Sequence, residues 1–315
     1  FVASRETLLG SNPQIEILNV HAPVKRKPSF LFGEGALDDY YQEHAEKLFS
    51  RARRTLESAG FKVSETMLVG VPDQTIAAEA ERYKADLIVM GTRGLGALKG
   101  LFKNSVSTGV ISLAHCPVLI VRGKHDEFPD SLRVGIAVDG SAYGEAAVRY
   151  TLKHRKLFGD HASFTIINAV NDYRGAAMTN VTGIALPTLS DKDIDQLEKN
   201  EFEDTVSKVR PIFAAEGITP DEVKLVGTPA DEIAAYARAN GIGILVMGSH
   251  GYNRLKTAVM GSTAAALAAH GIVPLLIVKS PKIEKTAVKT AEPAKAPRQS
   301  AFGIFREHPS SYPCR

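Results

Sequence analysis

The sequence predicts an α/β protein built from two tandem, doubly wound parallel-sheet domains of Rossmann-like type. Three observations predict it: the chain repeats itself, short continuous apolar runs alternate with charged amphipathic segments, and a glycine-rich turn follows one apolar run and opens a helix. At a shift of 157 residues, Val69-Gly70-Val71-Pro72 falls on Val226-Gly227-Thr228-Pro229. At the same shift Val89-Met90-Gly91 falls on Val246-Met247-Gly248, and Pro117 to Val121 on Pro274 to Val278. Of the 53 pairs from Val69/Val226 to Val121/Val278, 18 are identical without a gap. A period this long is a whole domain rather than a solenoid unit.

In the second repeat, Leu132 to Val138 is expected to be a strand, Tyr143 to Phe158 a helix and Phe164 to Val170 a strand. A long charged helix follows over Asp191 to Glu216. Then come a strand over Val223 to Val226, a helix over Ala230 to Asn240 and a strand over Ile244 to Met247. The helix Ser262 to Ala269 and the strand Leu275 to Val278 complete it. The strands lack polar alternation, as a sheet covered on both faces requires. Strand–helix alternation implies right-handed crossovers between parallel strands.

The first repeat starts late. Ile15 to Val20 matches the strand at Phe164 to Ala169 at a shift of 149, so the partner of Asp139 would lie ten positions before residue zero. The chain is therefore expected to begin inside the first helix of a domain, 1–122, that is N-terminally incomplete and lacks its central strand. The alternative is a natural half-domain completed by another chain. The second domain, 132–280, is expected to be complete. Between them Arg122 to Ser131 reads as a linker, and 281–315, rich in Lys, Ala, Pro and Ser, as a disordered basic tail.

Composition excludes several classes. With 44% hydrophobic and 23% charged residues the chain is ordinary for a globular protein. No apolar run is long enough to span a membrane, and no partner membrane is expected. A net charge of +3 that gathers on no single element does not point to nucleic acid. The two cysteines, Cys116 and Cys314, suit a reducing cytoplasm better than a disulfide. There is no GxxxxGK[ST] motif, no paired Cys/His metal spacing and no recognisable Ser-His-Asp set, so no catalytic residue is assigned.

The chemistry sits in Gly248-Ser249-His250-Gly251, followed after nine residues by Gly261-Ser262-Thr263. Gly248 would let the chain leave its strand with unusual dihedrals. Gly251 would let backbone approach an anion. Gly261 would expose amides at a helix N-terminus, where the macrodipole favours negative charge, and the Ser262 and Thr263 hydroxyls would add donors. The bland alternative is that these glycines serve turns and a cap. Asp139 ends the first strand of the same repeat and could accept hydrogen bonds from ribose hydroxyls at the switch point. Its alternative is an Asp-Gly turn or a helix N-cap, a role Ser141 could also fill. His250 is the better-placed of three nearby cations, the others being Arg254 and Lys256.

Ala137-Val138-Asp139-Gly140-Ser141, Val246-Met247-Gly248 and the glycine spacing ending in Gly261-Ser262 resemble the universal stress protein family in its tandem, two-domain form. That resemblance implies an adenine nucleotide, ATP with or without Mg, in the second domain. It implies contacts from Asp139 and Ala169 to adenosine, and from Gly248, Gly251, Gly261, Ser262 and Thr263 to ribose and phosphates. Ala137, Val138 and Met247 belong to the same matched segments. It also implies a HUP-type fold whose last strands pair between domains, here inside one chain as a pseudo-dimer, with a further homodimer open. In the first repeat Asn104-Ser105 stands where Gly-Ser is expected, so weak binding or none is expected there. The function implied is nucleotide-dependent regulation in the stress response, with at most slow ATP hydrolysis. A scaffold that uses no nucleotide is the alternative.

Overall fold

A computed structural model describes residues 1–5, 9–10, 12–23, 36–91, 106–121, 128–174, 190–250 and 260–279, the stretch 36–44 by its backbone alone. The segment expected to be a tail, 281–315, lies outside the described residues, as does much of the linker. The first repeat comprises β1 (Ile15–His21), α1 (Ala36–Ser58), β2 (Val63–Val69), α2 (Pro72–Tyr83), β3 (Ile88–Gly91), α3 (Val106–Leu113) and β4 (Val118–Val121). The second begins with β5 (Arg133–Ala137), α4 (Ala142–Lys153), β6 (Ser163–Val170), α5 (Asp191–Val206) and α6 (Arg210–Ala215). It ends with β7 (Asp221–Val226), α7 (Pro229–Ala239), β8 (Ile244–Gly248), α8 (Ser262–His270) and β9 (Leu275–Val278).

The second repeat is doubly wound. Its strands run parallel in the order β7-β6-β5-β8-β9, so the direction of winding reverses between β5 and β8. The central strand is buried on both faces. Val134, Ile136 and Val138 pack with Val148, Leu152 and Phe213, while Ala137 joins Ile167, Ile233 and Leu267 on the other side. Gly135 shares that second face because a Cβ there would stand 2.9 Å from Ile167 and 3.0 Å from Leu245.

The two repeats form one seven-stranded sheet. β4 pairs antiparallel with β9, setting Val118 against Ile277, Leu119 against Leu276 and Ile120 against Leu275. Lys279, just past β9, donates to the Ile111 carbonyl in α3. These two last strands cover each other's edges within one chain, as a pseudo-dimer.

β1 and β2 pair in parallel as a separate two-stranded sheet. They correspond to β6 and β7, and β3 to β8. In the second repeat β5 joins those pairs, whereas among the described residues no strand joins β1 to β3. The consequence shows at Val89, which is 37% exposed, while its counterpart Val246 is fully buried.

Two helices differ from their sequence reading. The helix expected from Tyr143 to Phe158 stops at Lys153 and gives way to a 3-10 turn over Arg155–Phe158. At about 100° per residue, a continued α-helix would put Leu157 and Phe158 well off the Leu152 face. The tighter turn buries both completely beside it. The helix expected over Asp191 to Glu216 breaks after Val206 and restarts at Arg210. Pro211 has no N–H to give the Ser207 carbonyl, so the helix cannot run through. α5 starts on a capping box in which Ser190 accepts from the Asp193 amide and the Asp193 carboxylate accepts from the Ser190 amide and hydroxyl. Ser190→Ala is expected to cost about 1 kcal/mol, read as a lower urea midpoint at unchanged slope.

Candidate functional site

Because β5, β6 and β8 are parallel and in register, their C-terminal ends reach one edge together. Ala137 faces Ile167 on one side and Met247 on the other. Ala169 and Asp139 each lie two residues beyond that row, and Gly248 one residue beyond it. Ala137, Val138 and Met247 are buried, Ala169 is partly exposed and Asp139 is exposed. Two bonds align the ends: the Val138 amide donates to the Ile167 carbonyl at 3.0 Å, and buried Asn168 Nδ2 donates to the Val138 carbonyl at 2.9 Å. Sequence reasoning missed Asn168, whose only signal was a polar residue inside an apolar run.

The β5–α4 turn is held from several sides. Asp139 Oδ1 accepts from the Ser141 amide at 3.1 Å and from its hydroxyl at 2.5 Å. Ser141 Oγ in turn accepts from the Gly144 amide, so Ser141 is the N-cap of α4 and Asp139 orients the cap. Gly140 has φ +73°, where a side chain is strained. Its carbonyl accepts from Lys208 Nζ at 3.0 Å, a contact from the break between α5 and α6 that the sequence did not suggest.

The glycines of the cradle have different reasons from those expected. Gly248 has no positive φ and ends β8 as an ordinary strand residue. A Cβ there would lie 2.6 Å from Tyr143 Cβ and 2.8 Å from the Tyr143 carbonyl oxygen, so the glycine admits the first turn of α4. Gly261 is the N-cap of α8, but its own amide is not exposed to a ligand: it donates to the Ser249 carbonyl at 3.0 Å. The first-turn amides that follow, of Ser262, Thr263 and Ala264, have no intrahelical acceptor, and α8 has no side-chain cap. Ser262 is exposed and Thr263 partly so. His250 is half-buried, with Nδ1 3.0 Å from Ser249 Oγ and its ring 5.2 Å from that of Tyr143. Gly251, Arg254, Lys256 and the first-repeat segment holding Asn104-Ser105 lie outside the described residues.

The structure thus brings Asp139, Ala169, Gly248, His250 and the N-terminus of α8 to one edge at the switch point, where doubly wound sheets bind ligands. A separate groove of about 420 Å³ lies at the opposite end of β6 and β7, among Arg155, Lys156, Glu216 and Asp221. An ion pair of 2.8 Å between Arg155 and Glu216 spans it, and it has no part in the cradle. Cys116 is half-buried, and burial pushes its thiol pKa up, away from the reactive thiolate. Among the described residues no group of three or more His, Cys, Asp or Glu is arranged for a metal, and no helix is long and apolar enough to cross a membrane.

A sequence model of the universal stress protein family matches residues 6–122 and again 132–279. A universal stress protein of Methanocaldococcus jannaschii is 40% identical over 86 residues, 27% of this chain. The match spans 51% of that relative's length, and 57% of a second from the same organism. A universal stress protein of Mycobacterium tuberculosis matches across both repeats, at 23% identity over 257 residues, covering 76% of this chain and 78% of its own. The crystal structure of a universal stress protein from Archaeoglobus fulgidus superposes with a TM-score of 0.59 at 25% identity, covering 87% of this chain and 88% of that one.

Proposed function

The chain belongs to the universal stress protein family, in tandem form, and from that membership we propose that its second repeat binds ATP as a regulatory ligand. The observation that carries the reading is the meeting, at one sheet edge, of an exposed carboxylate at Asp139 with an uncapped helix N-terminus at α8. The carboxylate suits ribose hydroxyls, and the first-turn amides suit phosphate oxygens. Ala169 and the buried ends of β5 and β8 supply an apolar floor for a base, and Mg would ride on the polyphosphate. Occupancy would bias which partners the chain meets in the cytoplasmic stress response. The first repeat would serve as the structural half of the pseudo-dimer.

The test is to purify the chain, heat-denature it and identify released nucleotide by mass spectrometry, beside an Asp139→Ala, Gly261→Asn double variant. About one adenine nucleotide per chain, lost in the variant, is expected. Asp139→Ala alone is expected to weaken ATP binding about tenfold, the loss of a hydrogen bond to a charged group. If neither protein carries nucleotide, and none binds at millimolar ATP, the reading fails and a nucleotide-independent scaffold remains.

A further inference from the structure

The structure assigns to Ser249 the role of positioning residue for the anion cradle: it sets the tautomer of the neutral His250 imidazole, with the proton on Nε2. The inference rests on the nucleotide reading for its purpose, though not for its chemistry.

Ser249 follows β8 and is 1% exposed. It makes three bonds in three directions. Its amide donates to the Val278 carbonyl at the end of β9, 2.9 Å away. Its carbonyl accepts from the Gly261 amide at 3.0 Å. Its hydroxyl lies 3.0 Å from His250 Nδ1. One residue therefore ties the strand edge to His250 on one side and to Gly261 on the other.

The third bond decides a tautomer. A buried hydroxyl proton needs an acceptor, and among the described residues Nδ1 is the one acceptor that Ser249 Oγ reaches. The hydroxyl therefore donates and Nδ1 accepts through its lone pair. In a neutral imidazole the proton then sits on Nε2. The ring cannot readily turn over, because Tyr143 lies against it and Tyr143 is itself wedged against Gly248. In its neutral form His250 then carries its N–H on Nε2, the nitrogen that could donate to a phosphate oxygen. Ser249 never needs to touch the ligand.

The experiment labels histidine with 15N in the full chain and reads the tautomer of His250 by long-range proton–nitrogen correlation. His250→Gln identifies its signals among the nine histidines. The unsubstituted chain, free of ligand, is expected to show the Nε2–H form alone. Ser249→Ala is expected to give a mixture of both tautomers and to weaken ATP binding about fivefold in calorimetry, as the loss of one oriented donor would. Ser249→Thr keeps the hydroxyl and is expected to restore both the tautomer and the affinity to within about twofold. An Nδ1–H form in the unsubstituted chain overturns the assignment without any variant having to fold. So does Ser249→Ala with unchanged ATP affinity in a chain that binds ATP. A chain that binds no ATP at all overturns the nucleotide reading instead, and the cradle role with it.

Discussion

Leu119→Asp is expected to destabilise the whole chain by more than about 4 kcal/mol, enough to leave little of it folded at 25 °C. Leu119 lies mid-way along β4, is completely buried and faces Leu276 across the antiparallel pair. Its side chain packs in one cluster with Leu132, Val134, Leu276 and Val278, all from the second repeat. Its neighbours Val118 and Ile120 point the other way, into the cluster holding Ile277 and Leu267. Both cores thus run across the seam between the repeats, and a carboxylate at 119 would be buried among apolar side chains. Leu119→Ala should cost about 3 kcal/mol, the usual loss for a truncated core leucine. Leu113→Asp, on α3 and 42% exposed, is the control and should change stability by less than about 0.5 kcal/mol. Urea unfolding followed by circular dichroism reads all three. If Leu119→Asp unfolded at the same midpoint as the control, the β4–β9 pairing could not be what joins the repeats.

Much of this architecture was legible because it follows from patterning alone. The strand Leu275–Val278 falls where its apolar run begins and ends, since a strand buried on both faces tolerates no polar residue. The 157-residue repeat made β4 and β9 equivalent strands, while their pairing with each other was implied by the resemblance to the universal stress protein family and not by the pattern. Other features were written in chemistry that periodicity does not carry. Leu157 and Phe158 look like helix continuation until one asks which side of the chain the core lies on. Pro211 was a visible break inside a charged run, but a run of charge hides where a helix stops.

The candidate site divides the same way. Asp139 and the α8 N-terminus were legible because strand ends and glycine spacing mark the switch-point edge. Ser249, Tyr143, Asn168 and Lys208 were not. Each acts through a contact made by chain folding back from elsewhere, and nothing in the local sequence says which carbonyl, ring or loop will come to meet it.

The two repeats supply their own control for the meaning of the motif glycine. Gly248→Ala is expected to cost about 3 kcal/mol and to weaken ATP binding at least tenfold, whereas Gly91→Ala, the same position in the first repeat, should change stability by no more than about 0.5 kcal/mol. At Gly248 the new methyl would meet Tyr143 Cβ at 2.6 Å, its carbonyl carbon at 2.7 Å and its carbonyl oxygen at 2.8 Å. Two of these are backbone atoms in the first turn of α4, pinned by the Ser141 cap and the Asp139 carboxylate. β8 cannot retreat either, because β5 and β9 hold it on both sides. Something must shift, and what shifts is either the Asp139 turn or the Ser249 junction, both parts of the cradle. At Gly91 no atom of the described residues lies within 4 Å of the added methyl. Urea midpoints and ATP titration of the two variants separate the explanations. A large cost at 248 alone means that the glycine admits α4. Equal costs at both positions would mean that it serves the backbone turn common to the repeats, and the packing account of the cradle would have to be given up.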